Sequence, residues 1–444
     1  MFVHQSRLIL RHAAPMLVAQ LASMGMMVID TVLLGHYGTE DLAAVAVGGG
    51  IYIAVIFAFS GILQAVSPMV AQLKGAGREG EIAGVLQQAF WLALLLAIPG
   101  VLFLNHPDAL LALSDIEPRV EAKARGYLAM LAWGMPAALL YRTFYAFCNA
   151  LGRPRPLMLI ALGSTLLHGA LAGVLVTGAF GGSGLGALGC GISNAAVGWF
   201  ALLCSAAYLV FGQPLAQYRL LHAWQKPRIG IQRELLQIGL PMGFSSFVEI
   251  SSFTLIALFV AQLGATVVAG HRVVANLAAI CYMLPLALSI ATLAQVGLAA
   301  GARDWRRAEV SLATGLLLAG SLSLALGLVL WCLARPLAEA YTSDPAVQRV
   351  ALSLIAYVAV YQVFDALQTV AAYTLRGYKV TFLPMLVHIV CFWGVGLFGG
   401  WILAFRIASP MGVAGFWAAS LASLVLAALL LGAVLWRAVH MLRD

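Results

Sequence analysis

Three carboxylic acids stand where a carboxylate is expensive. Asp30, Glu249 and Asp365 each interrupt an apolar run, and "GFSSFVEISSFTLIALFV" over 243–260 carries Glu249 as its single charge. A charged side chain at the centre of a membrane helix costs roughly 2.5–3.5 kcal/mol on insertion scales. Each acid heads a polar stripe at helical spacing. Gln20, Ser23, Met27 and Asp30 share one face, Ser245, Glu249 and Ser252 a second, and Tyr357, Tyr361, Asp365 and Gln368 a third. Such acids face a bundle interior or a wet cavity and mark ion or substrate paths. They can also serve only to lock helices together through hydroxyl groups. Arg142 is the one basic residue placed well inside an apolar run, so it compensates at most one acid. The others must be protonated or hold a cation. His168, inside a further apolar run, is either a proton-responsive residue or a hydrogen-bonded packing residue. His36 and His271 are expected in outside loops.

The elements that hold these residues follow from composition. The chain has 444 residues, of which 62% are hydrophobic and 9% charged. A soluble globular chain carries about 25% charged residues, so this one belongs in a membrane. Apolar runs of about 20 residues fit the bilayer as helices. Twelve are expected, at roughly 12–35, 46–73, 86–104, 124–148, 157–178, 186–211, 235–263, 273–300, 309–334, 348–375, 382–405 and 411–437. The first follows Arg7 and Arg11 and is too long for a signal-peptide core, so it reads as a retained helix. The six cysteines form no CxxC pair and read as buried thiols. The net charge of +8 is scattered over short loops, which suits anionic headgroups and not nucleic acid.

The chain is also doubled. Pro15-Met16 recurs as Pro241-Met242, Gly38 as Gly264, Gly152 as Gly377, and "GALG" at Gly186 as "GVAG" at Gly412, all at offsets of 225 or 226 residues. Six spans per half give both halves the same membrane orientation, as in one class of secondary transporter. The expected division is an N-terminal lobe (1–220), a cytoplasmic linker (221–234) and a C-terminal lobe (235–444). With both termini inside, cytoplasmic loops hold about 17 Lys and Arg against 7 outside, which predicts a multi-pass protein with cytoplasmic termini.

Several engines are missing. No Gly-Lys dipeptide occurs, so there is no phosphate-binding P-loop; HExxH and GxSxG are also absent. Two GxGxxG matches, "GLGALG" at Gly184 and "GVGLFG" at Gly394, lack a strand before them and read as close helix packing. An enzyme is not expected.

The stretches "MVIDTVLLGHYGTEDLAAVAVG", "VSPMVAQLKGAG", "PMGFSSFVEISSF", "DALQTVAAYTLRGYKVTFLPM" and "GVAGFWAASLAS" resemble the multidrug and toxic compound extrusion family, most closely its bacterial NorM-type branch. The resemblance covers essentially the whole chain. It implies an all-α integral membrane protein with twelve transmembrane helices in two pseudo-symmetric six-helix lobes. It also implies a bacterial inner-membrane antiporter that expels cationic amphipathic drugs in exchange for Na⁺ or H⁺. Glu249 and Asp365 match the family's C-lobe acidic pair, with Na⁺ as a candidate occupant, and Tyr361 matches an aromatic linked to it. Asp30 matches the N-lobe acid. The family pattern after "GSTLL" has asparagines, whereas this chain has "HGALA", with His168 at the first position and Ala172 at the last. Asp30 and His168 are therefore the N-lobe coupling or substrate candidates. The expected partners are cationic lipophilic small molecules and membrane lipids, with no nucleic acid and no cofactor beyond the coupling ion; the expected state is a monomer. A lipid-linked precursor flippase of related fold and a non-transporting scaffold are the alternatives.

Overall fold

The computed structural model describes residues 1–108, 111, 117–178, 184–212, 218 and 224–441. Among them every regular element is a helix. Twelve are long: α1 (Phe2–Tyr37), α2 (Thr39–Gly75), α3 (Glu79–Asn105), α4 (Pro118–Ala150), α5 (Arg155–Thr177), α6 (Ala187–Phe211), α7 (Ile229–Ala261), α8 (Ala265–Gly301), α9 (Trp305–Cys332), α10 (Pro345–Gly377), α11 (Phe382–Phe405) and α12 (Val413–Met441). Eleven are long and apolar enough to cross a membrane. The twelfth, α4, has 33 residues and is less apolar, with Tyr127, Tyr141, Arg142 and Tyr145 along it. Each expected span finds its helix. Several begin earlier than expected: α2 starts at Thr39 and α8 at Ala265. The backbone hydrogen-bond ladder continues past the apolar edge, because a helix ends where its caps are, not where polarity rises.

The doubling is written into the backbone. Gly77, Gly152 and Gly186 have φ of 70°, 70° and 53°, and Arg303, Lys379 and Gly412 have φ of 56°, 62° and 56°. The second set follows the first at 226 or 227 residues. Two L-residues thus occupy left-handed positions that glycine takes in the first half. The counterpart of Gly152 is accordingly Lys379, two residues beyond the Gly377 that sequence matching selected. The "GALG" and "GVAG" repeats also have one job. A Cβ on Gly189 would lie 2.8 Å from the backbone of Leu175 in α5, and one on Gly415 would lie 2.9 Å from Ala404 N in α11. These glycines let α6 touch α5 and α12 touch α11, which accounts for the "GLGALG" match.

Two compact units are present, one of Val18–Gly243 and the other of Met1–Leu17 with Phe244–Asp444. In the first, Asp41 is a clamp. It is 6% exposed and accepts from Ala187 N at 2.8 Å and from Lys123 Nζ at 2.7 Å, tying the starts of α2, α6 and α4. The junction near 220–221 lies outside the described residues. From Trp224 onward the connection is strapped to α3: Gln225 N and Arg228 N donate to the side-chain oxygens of Gln87 and Gln88 at 3.0 and 2.7 Å, and Gln88 Nε2 donates to Lys226 O at 2.9 Å.

In the second unit, α11 widens into π-helical turns over Ile389–Gly399, a form that recurs at functional sites. Its carbonyls Phe392 O and Cys391 O accept from Ser252 of α7 at 3.0 Å and Ser423 of α12 at 2.7 Å. The six cysteines are free; four are buried, Cys204 is half-buried, and Cys332 is exposed, unlike the expectation.

Candidate functional site

The C-terminal acids come together. Glu249 is half-buried on α7 and shares a hydrogen bond with the Tyr282 hydroxyl from α8. Asp365 on α10 is 4% exposed, as is Tyr361 one turn before it. The two carboxylates act on each other electrostatically, and both act on Tyr361. Gln368 Nε2 donates to Asp365 Oδ1 at 3.0 Å, and Thr369 Oγ1 donates to Asp365 O at 2.7 Å. Tyr361, Asp365 and Gln368 of the stripe expected on α10 are all buried.

Sequence reasoning missed two members. Tyr282 sits in "AAICYMLPLAL" and has no polar neighbour to flag it. Arg376 falls one residue past the tenth expected span, 348–375. It is instead in the last turn of α10, 5% exposed, with its guanidinium over the Tyr373 ring at 4.3 Å, and it acts on Glu249. A helix that runs a turn beyond its apolar stretch buries it. Arg142, the one basic residue expected inside a span, instead lies over the Tyr145 ring at 5.8 Å in the other unit. His271 also departs from expectation. It is 8% exposed inside α8, where its Nδ1 accepts from Trp417 Nε1 at 3.2 Å, and the Trp417 ring packs edgewise on Tyr361 with centroids 6.0 Å apart.

Among the described residues tied to Glu249 and Asp365, the groups that could ligate a cation are oxygens. They comprise two carboxylates, the Tyr361 and Tyr282 hydroxyls, and Gln368, whose Oε1 is buried without a partner. Such ligands suit a hard cation or a proton. Among the described residues no group of three or more His, Cys, Asp and Glu could hold a metal ion.

The N-terminal pair is a separate constellation in the first unit. Asp30 on α1 is 7% exposed and His168 on α5 is fully buried. His168 Nε2 donates to Asp30 Oδ1 at 2.8 Å. The second oxygen, Oδ2, accepts from Asn194 Nδ2 at 3.2 Å. Ser193 Oγ lies 2.9 Å from His168 Nδ1. His168 is thus the direct partner of Asp30, where the resemblance led one to expect asparagine. Ser193 and Asn194, adjacent on α6, were not singled out from sequence; "ISNAAVG" offers two polar residues in an apolar run as the only signal.

A helical chain with two buried acidic centres and no hydrolytic or nucleotide motif has the make-up of a membrane transporter. Comparison fixes the family. The MatE family model matches residues 15–174 and again 241–402, once per repeat. A probable multidrug resistance protein NorM of Aromatoleum aromaticum is 55% identical over 425 residues, covering 95% of this chain and 92% of that protein. A probable multidrug resistance protein NorM of Neisseria meningitidis is 37% identical, covering 97% and 94%. Among solved structures, an outward-facing multidrug resistance transporter of the same family superposes with a TM-score of 0.91 at 17% identity, covering 99% of this chain and 97% of that one. The chain belongs to the multidrug and toxic compound extrusion family. The family and these relatives indicate a multidrug efflux transporter.

Proposed function

We propose that this chain is a cation-coupled antiporter that exports cationic amphipathic compounds across the bacterial inner membrane in exchange for Na⁺ or H⁺. The Glu249–Asp365–Tyr361 cluster carries this reading. Arg376 acts on Glu249 and offsets one negative charge. The other is left for a cation or a proton. A cationic drug and the coupling ion then compete for the same field. Ion entry from outside lowers the affinity for drug, and the resulting population shift releases drug outside. Asp30 gives the N-lobe the third of these carboxylates, which we assign to attracting the cationic drug. No group other than the coupling ion is needed.

Ethidium transport by inverted membrane vesicles, with Na⁺ and pH gradients imposed separately, tests the reading. At least one gradient is expected to drive ethidium movement. Movement driven by neither gradient, in vesicles that contain the protein, contradicts coupling and favours the scaffold alternative.

Orientation follows the Lys and Arg bias, with Arg306 inside and Ser343 outside. In a cysteine-free background, Arg306→Cys should react with an impermeant thiol reagent only from the cytoplasmic side and Ser343→Cys only from the other. Reaction of both from one side overturns this topology.

A further inference from the structure

His168 has a partner for each ring nitrogen, and Ser193 can change what it gives. In the neutral ring, Nε2–H donates to Asp30 Oδ1 at 2.8 Å, and the Ser193 hydroxyl donates to Nδ1 at 2.9 Å. The same hydroxyl also reaches the backbone carbonyl oxygen of His168 at 3.3 Å. Suppose a proton adds to Nδ1. That nitrogen becomes a donor, the Ser193 oxygen accepts from it, and the Ser193 hydrogen swings to the His168 carbonyl. No heavy atom moves and no buried group loses its partner. A fully buried imidazole would otherwise gain a proton at the cost of a buried, unsatisfied N–H. Ser193 removes that obstacle.

The surroundings agree with a ring that gains charge. Asn194 and the Cys190 thiol, both from α6, bond to Asp30, and Tyr127 of α4 acts on it electrostatically in turn. Among the described residues, none of the groups tied to this pair is cationic, so none of them repels an added proton. Asp30 faces it directly. With neutral His168 the pair carries one negative charge. With His168 protonated it carries none.

We infer that His168 is a proton-binding site of the transport cycle, and that its proton cancels the charge by which Asp30 attracts a cationic drug. This rests on the reading of Asp30 as the drug-attracting carboxylate. One proton enters from water onto Nδ1, the Ser193 hydroxyl rotates, and the drug cation leaves. The reverse exchange binds drug and releases the proton. In this chain the histidine, and not the aspartate, is the group that changes protonation in the N-lobe.

Two measurements test it on the full-length protein. In weakly buffered detergent solution, adding ethidium should release protons from the parent, and His168→Asn should release about one fewer per chain. Ser193→Ala should move the pH at which that release is half-maximal, and Ser193→Thr, which keeps a hydroxyl, should restore it. Equal release by parent and His168→Asn, with ethidium still bound, overturns the inference. Independently of any drug, ¹⁵N-histidine spectra should show the His168 signal, identified by its loss in His168→Asn, passing on acidification to the form with both nitrogens protonated. A ring that stays singly protonated at every pH where the protein is folded also overturns it. If Asp30→Asn leaves ethidium affinity unchanged, the drug-attracting role of Asp30 fails instead, and the two failures are told apart.

Discussion

In Glu249→Gln, cation-driven ethidium transport is expected to fall roughly 10- to 100-fold at unchanged protein level. That factor corresponds to losing a charge-assisted contact worth about 1.5–3 kcal/mol. The substitution keeps the shape of the side chain and its bond with Tyr282 but removes the charge that a cation needs. Asp365→Asn should do the same, because Asp365 and Glu249 act on one another and share Tyr361. If the two acids form one unit, the double variant should be little worse than either single one. Stability should separate them. Asp365→Asn removes a buried charge that has Gln368 as its side-chain donor, so it should fold at least as well as the parent. Glu249→Gln leaves Arg376 over Tyr373 without its carboxylate, so its gain should be smaller. Normal coupled transport by Glu249→Gln would return this residue to a purely structural role.

His168→Leu should be the most destabilising single change in the first unit. It strips Asp30 of its shortest bond and leaves Asn194 as the remaining side-chain amide donor. The partners' side chains are 0% and 10% exposed, so water does little to compensate. Breaking a buried pair from one side typically costs about 3–5 kcal/mol. Thermal unfolding of the purified protein should show a clear drop in midpoint. Combining His168→Leu with Asp30→Leu should recover much of it, because no unpaired buried charge remains. A double variant as unstable as His168→Leu alone would mean that the histidine acts by packing and not through Asp30.

The twelve helices were legible because a membrane span needs hydrophobic length, which eleven of them have in full. The doubling was legible from a few glycines and prolines, though matching letters paired Gly152 with Gly377 where the backbone pairs it with Lys379. The acids at 30, 249 and 365 were legible because a carboxylate has no cheap reason to sit in an apolar run. Their partners were harder. Arg376 was misplaced because the apolar stretch stops before the helix does. His271 was misplaced for the same reason at the other end of a span, since α8 begins eight residues before the stretch expected from hydropathy. Tyr282, Ser193 and Asn194 carry no charge and no motif, and only the packing of α8 on α10 and of α6 on α5 brings them to the acids. Sequence shows which helix face is polar; it does not show which other face meets it.

The most direct test of ion and drug competing for the same carboxylates is an equilibrium titration. Ethidium bound to the purified full-length protein is followed by fluorescence while Na⁺ is raised at fixed pH, and then while pH is lowered at fixed Na⁺. Competition predicts that at least one of the two displaces ethidium, and that Glu249→Gln with Asp365→Asn loses whatever part of the displacement does not depend on His168. Ethidium affinity that neither ion moves in the parent protein would contradict it.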